Sequence, residues 1–155
     1  MDYVLKFIHG EYEDENAVYD VNNYICQTYK TKGLIGGYNV LPEYAVDMMQ
    51  DIKDLYHDDN GKMLIHFIVS VPMKYSLLDT DMLMCARIIA SAFDTNQVVY
   101  GIHSDKDHMH AHFMVNTITL NGEKIAIPHI RAYISSICKE VLNSPIVLGE
   151  IFGQD

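Results

Sequence analysis

The stretch His103-Ser-Asp105-Lys-Asp107-His108-Met-His110-Ala-His112-Phe-Met-Val-Asn116 holds four of the chain's eight histidines within ten residues. Read as a strand, with side chains alternating between faces, it puts His110 and His112 on one side. Ala111, Phe113 and Val115 then point the other way, into a core. Val98 to His103 reads as the preceding strand. Six residues, Ser104 to Met109, separate His103 from His110, a spacing that joins the two strands as a hairpin. His103 then stands beside His110 and His112. Three imidazoles converging from rigid strands, with coordination positions left open, suit a catalytic metal centre, because a closed site has no room for substrate.

Asp105 and Asp107 fall in the connecting turn. One accepts the second ring N–H of a ligand histidine and so fixes its tautomer, or both serve only the turn. Asn116 shares the histidine face and is read as a support for the ligands or a contact to substrate. His108 is assigned to the loop and left out of the ligand set.

Working outward, Lys62 to Val71 (KMLIHFIVSV) is a near-continuous apolar strand of the kind found at the centre of a sheet. Residues 3–9 read as a first strand. A helix follows over about 15–29, with Val18, Val21 and Ile25 on one face. Gly33, Gly36 and Gly37 make 30–40 a flexible loop. Pro42 and Glu43 open a second helix whose apolar stripe is Ala45, Met48, Met49, Ile52, Leu55 and Tyr56. A third helix, over about 79–93, buries Met82, Ala86, Ile89, Ala90 and Phe93. Asn121-Gly122 is a hairpin-turn signal leading to a short strand near 124–127. Pro128 opens the last helix, with Ile130, Ile134, Ile137 and Val141 inward, and Ile146 to Leu148 reads as a short closing strand. No repeat or linker interrupts this order. It predicts one domain over residues 1–155 of the α+β class: a mainly antiparallel sheet with helices packed on it.

Composition narrows the partners. Apolar residues are 49% and charged residues 21% of 155, ordinary for a globular protein. No apolar run is long enough for a membrane span, and the first ten residues do not read as a signal peptide. Cys26, Cys85 and Cys138 are isolated and odd in number. They read as reduced core thiols of a cytoplasmic protein. The net charge of -10, from 11 basic and 21 acidic residues, argues against a broad nucleic-acid surface. Phosphate contacts must come from a small set: Lys30, Lys32 and Arg87 first, then Lys74, Lys106 and Arg131. His9 and His66 lie within strand patterns and read as packing residues. His66 has a secondary claim as a ligand. His129 reads as a surface residue.

The segment His103 to Asn116 resembles the metal-binding motif of HUH relaxases from conjugative and mobilisable elements. Ile65-His66-Phe67-Ile68-Val69-Ser70 resembles the strand that precedes it in that family. Asn23-Tyr24-Ile25 resembles the family's nucleophile motif, and the order of elements agrees over about residues 3–148. The resemblance implies a five-stranded antiparallel sheet with flanking helices. It implies His103, His110 and His112 as ligands of a divalent metal, Mg²⁺ or Mn²⁺, where imidazoles alone would also accept Zn²⁺, Co²⁺ or Ni²⁺. It implies Asp105 as an orienting acid and Tyr24 as the nucleophile, with Tyr19 and Tyr29 as the other tyrosines on the same expected helix. The implied activity is nicking and rejoining of single-stranded DNA at a transfer origin, through a 5′-phosphotyrosine, with accessory mobilisation proteins as partners and no membrane. Replication initiators and transposases of the same chemical class share these parts. A non-catalytic module that keeps fold and metal is the alternative of a different class. A metal hydrolase of small phosphoesters is a third.

Overall fold

A computed structural model describes residues 2–58, 60–125 and 127–143. Five strands, β1 (Val4–Ile8), β2 (Ile35–Tyr38), β3 (Leu64–Pro72), β4 (Val98–Ser104) and β5 (His108–Asn116), form one sheet in the order β1-β3-β5-β4-β2. Every pairing is antiparallel. Helices α1 (Glu15–Ile25), α2 (Thr28–Thr31), α3 (Ala45–Leu55), α4 (Asp79–Ser91) and α5 (Ile127–Asn143) flank it. This is the α+β arrangement expected from the sequence.

Alternation along the strands divides the sheet into two faces. Phe67, Val69, Tyr100, Ile102, Ala111, Phe113 and Val115 project onto one face and meet Met82, Ala86, Ile89 and Ile134 of α4 and α5. Phe67 and Phe113 stack there with centroids 4.5 Å apart. On the other face Leu64, Val99 and Met114 meet Val18, Val21 and Ile25 of α1 and Ala45 and Met49 of α3. Each such buried aliphatic side chain contributes about 1.5–3 kcal/mol of transfer free energy. Asp14 starts α1 by accepting the Ala17 amide, the bond that an N-cap aspartate supplies.

Four expectations need correction. The helix read over 15–29 ends at Ile25. Gln27 is extended, and Thr28–Thr31 forms a separate turn of helix ended by Lys32 in the left-handed region. The glycine-rich segment is not a free loop, because Ile35–Tyr38 pairs with β4 as an edge strand. Gly36 serves packing there: a Cβ at that position would lie 2.5 Å from the Tyr100 ring. In α3, Leu55 is 66% exposed, while Lys53, outside the expected stripe, is fully buried with Ala45 and Met49. Spacing by four selects that face, and the Lys53 ammonium donates to Asn116 Oδ1. The strand expected near 124–127 shrinks to one bridge, Ile118 to Lys124, because Ile127 already begins α5.

The closing strand expected at 146–148 lies outside the described residues. Cys85 and Cys138 are buried and Cys26 is half-buried, and all three are free. Burial pushes their thiols up to about 11 for Cys26 and Cys85 and about 12 for Cys138, so they stay protonated. Among the described residues no helix is long and apolar enough to cross a membrane.

Candidate functional site

α1 and α3 cover only part of their face of the sheet, and the histidines line the remainder. In the β4–β5 register His103 lies directly opposite His110, and His112 lies opposite Gly101. Gly101 has no side chain to hold α1 away. A Cβ there would stand 2.5 Å from the Ile25 carbonyl oxygen. The end of α1 therefore settles on β4, and His103 Nε2 donates to the Ile25 carbonyl at 2.9 Å. The same approach brings Tyr24, one residue earlier, onto the imidazoles. Its ring centroid is 5.3 Å from His103, 5.4 Å from His112 and 6.5 Å from His66. The Lys30 ammonium lies 4.5 Å from the centroid of the Tyr24 ring.

Each of the three expected ligands has one ring nitrogen engaged. His103 is held by the Ile25 carbonyl. His110 Nε2 donates to Asp105 Oδ2 at 2.8 Å. His112 Nδ1 pairs with His66 Nε2 at 3.3 Å. Burial, with His103, His66, His110 and Lys30 adding repulsion, pushes His112 down to about 2. Burial and His103 push His66 down to about 4, and burial chiefly lowers His103 too. These rings are neutral at physiological pH, and a neutral imidazole keeps the lone pair that a metal takes. Asp105 accepts the amides of His108 and Asp107 and the His110 ring, which holds its carboxyl down at about 2. It therefore closes the turn and orients His110 at once, both readings of its sequence position.

His108 is not a loop residue. It is the first residue of β5, two before His110 and so on the same face. Among the described residues, Asp105, His108 and His110 form a group whose potential ligand atoms all lie within 4.8 Å of one another. That cluster sits at the hairpin tip. The row His103, His112, His110 runs inward from it, with ring centroids 4.2 Å apart for His103–His112 and 6.3 Å for His110–His112. His110 belongs to both. His103, His110 and His112 do not themselves form such a group among the described residues. What the inward row offers is the donor chemistry of three imidazoles, each held through one nitrogen by a carbonyl, a carboxylate or another imidazole, as metal-binding histidines are.

The row forms one wall of a cleft of about 760 Å³ that also takes in Tyr24, Lys6, Lys30, Lys32, Asp79 and Asp105. Three lysines face two aspartates there, so the cleft reverses the acidic balance of the chain. Two expected substrate contacts do not belong to it. Arg87 is exposed on α4, beside Tyr100 and on the opposite side of the sheet. Asn116 is fully buried, where it donates to Gln97 Oε1 and the Met49 carbonyl and accepts from Lys53. Sharing the histidine face was the right geometry, but α3 seals that end of β5. Arg131 packs over Phe7 and bonds His9 beyond the cleft. Lys74 pairs with Asp2, and Lys106 is exposed at the tip. His129 is exposed. Tyr19 is 55% exposed on α1 and does not line the cleft. Tyr29 stands on α2, and its side chain is not among those described.

Sequence reasoning undervalued His66, missed Lys6 and passed over Gly101. A glycine inside a strand signals close backbone approach. With β3 lying between β1 and β5, the alternation that buries Phe67 sends His66 to the histidine face.

A family model described as relaxase, MobA/VirD2-like, nuclease domain matches residues 19–144. The match takes in Tyr24, Lys30 and the whole histidine hairpin. No curated protein matches the chain significantly.

Proposed function

Because the chain belongs to the relaxase family of MobA/VirD2-like nuclease domains, we propose that it nicks and rejoins one DNA strand at a transfer origin, acting as a single catalytic domain with Tyr24 as nucleophile. The observation that supports this most is the packing of the Tyr24 ring within 5.5 Å of both His103 and His112, with Lys30 over its face. His103, His110 and His112 would hold the divalent cation, with Asp105 orienting His110. Such an ion, when bound, supplies Lewis-acid polarisation of the non-bridging phosphate oxygens. All-nitrogen donors suit Mn²⁺ better than Mg²⁺, which prefers oxygen, and also accept Zn²⁺, Co²⁺ or Ni²⁺.

The protein's own share is positioning. α1 carries the phenol to the sheet, and His103 ties the end of that helix down through the Ile25 carbonyl. Lys30, Lys32 and Lys6 supply positive charge where a phosphate backbone has to lie. Attack forms a bond from phosphorus to the Tyr24 phenolic oxygen and breaks the bond to the 3′ oxygen. The strand is left joined 5′ to Tyr24 beside a free 3′-OH. One phosphodiester replaces another, so the step runs in reverse as readily, which suits a nick that is later sealed. Three lysines give a modest electrostatic grip, and accessory mobilisation proteins would supply the rest.

The test is a denaturing-gel assay for a covalent protein–DNA adduct, using a pool of single-stranded oligonucleotides with Mn²⁺. The proposal expects an adduct that disappears in Tyr24→Phe and in EDTA. The net charge of -10 favours one other reading, a metal-binding module without catalysis. Histidine-dependent metal binding with no adduct from any oligonucleotide supports that reading. Cleavage that survives Tyr24→Phe points to a water nucleophile and a metal hydrolase.

A further inference from the structure

His66 has no part in the proposed ligand row, yet it is as buried as two of its members, at 6% exposure against 7% for His103 and 4% for His112. It faces Met114 across the β3–β5 ladder, while Ile68, two residues on, faces His112. His66 and His112 are therefore diagonal neighbours on one face, a separation that two long side chains bridge. Their rings meet through His66 Nε2 and His112 Nδ1 at 3.3 Å. On its far side His66 Nδ1 lies 3.5 Å from the Tyr12 hydroxyl. The three groups form a line from the chain between β1 and α1 to the inner wall of the cleft.

Two neutral imidazoles that meet nitrogen to nitrogen share one proton, so one donates and the other accepts. The direction decides what His112 offers to the cleft. If His66 Nε2–H donates, the proton of His112 is on Nε2, and its second nitrogen has no lone pair for a cation. If His112 Nδ1–H donates, its Nε2 lone pair is free to ligate. His66 then carries its own proton on Nδ1, where the Tyr12 oxygen is in position to accept it. We infer that His66 is the positioning residue of His112: it accepts the Nδ1 proton, fixes the ligating tautomer, and passes the constraint to Tyr12. This rests on the reading of His112 as a metal ligand.

A positioning role differs from ligation in what rescues it. Glutamine at position 66 retains a carbonyl oxygen that accepts from His112, whereas phenylalanine fills the space and accepts nothing. Mn²⁺ affinity of the DNA-free protein, measured by titration calorimetry, should fall about 10-fold to 100-fold in His66→Phe. It should stay within a few-fold of wild type in His66→Gln, where a few-fold is about 1 kcal/mol or less. Nitrogen-15 spectra of histidine-labelled wild-type protein without metal should show His112 protonated at Nδ1, a reading that needs no variant to fold. Wild-type affinity in His66→Phe overturns the inference, as does a His112 proton at Nε2. Loss in both His66 variants equal to that in His112→Ala makes His66 a ligand instead. His112→Ala also separates the two levels: unchanged Mn²⁺ affinity there removes the underlying ligand reading, while loss there with none in His66→Phe removes only the role of His66.

Discussion

The Lys30 ammonium stands 4.5 Å from the centre of the Tyr24 ring, on the helical turn that follows the one carrying Tyr24. On the proposed mechanism this sets a positive charge where the phosphate would arrive for attack. Lys30→Gln is expected to slow adduct formation about 10-fold to 100-fold, the loss of one charge-assisted contact. Lys30→Arg should retain most of the rate. The deficit should narrow as salt rises and screens the remaining attraction. Single-turnover rates at two ionic strengths test this, and equal rates for wild type and Lys30→Gln would remove Lys30 from the site.

Gly101→Ala tests how the proposed nucleophile is placed. The added Cβ would meet the Ile25 carbonyl at 2.5 Å, and backbone does not yield cheaply. Overpacking of this kind costs about 1–3 kcal/mol. The displaced helix end also breaks the hydrogen bond from His103 and moves Tyr24. Adduct yield should fall further than the melting temperature alone explains, and Mn²⁺ affinity should fall with it, because His103 loses the carbonyl that orients its ring.

Without metal, the protein should be acid-labile above the range where carboxylates titrate. His66 and His112 both bind protons less readily in the fold than their ordinary value of 6.5, at about 4 and about 2. The unfolded chain therefore takes up protons first. Their contribution to stability is flat above pH 6.5, declines as pH falls below it, and levels for His66 only near pH 4. Each ring contributes a slope of up to about 1.4 kcal/mol per pH unit. Urea midpoints at pH 7.5, 6.5, 5.5 and 4.5 should show the decline. A flat profile to pH 4.5 would mean that these rings are not shielded.

Asn116→Ala should behave as a folding lesion. Removing the amide strips partners from Lys53, Gln97 and the Met49 carbonyl in a sealed space, which costs about 2–3 kcal/mol. The melting temperature should fall, while Mn²⁺ affinity of the folded fraction stays the same. Weakened DNA binding at full thermal stability would restore Asn116 as a substrate contact.

How much could be read in advance depended on the range of the interaction. The strands, the main helices and the shared face of His103, His110 and His112 follow from period-two and helical spacing, which are local. The family motif drew Tyr24 to the same place, although nothing in its own helix distinguishes it from Tyr19. What eluded the sequence was register and depth. His66 joins the site only because β3 lies beside β5. Gly36 looks like loop and acts as a seat for Tyr100. Leu55 and Lys53 exchange core and surface because a polar partner, Asn116, waits sixty-three residues away in the chain. Arg87 is a cation on the wrong side of a sheet, and one-dimensional charge patterns carry no sides.

The histidines and the tyrosine are carried by parts of unequal permanence. His110 and His112 sit on β5, which is paired along both edges between β3 and β4. Tyr24 rides the last turn of an eleven-residue helix that stops at Ile25. Amide hydrogens of β3 and β5 should exchange only on global unfolding, while those around Ile25 open locally and sooner. On the proposed chemistry a tethered strand would then hang from a helix end, beside imidazoles carried on a strand paired along both edges. On that chemistry, opening the end of α1 would release the bond from His103 and lift the 5′ end away from the 3′-OH, and closing it would return the two to register. The lifetime of the proposed nick would then be a property of one helix terminus, adjustable by substitutions along Cys26–Thr31.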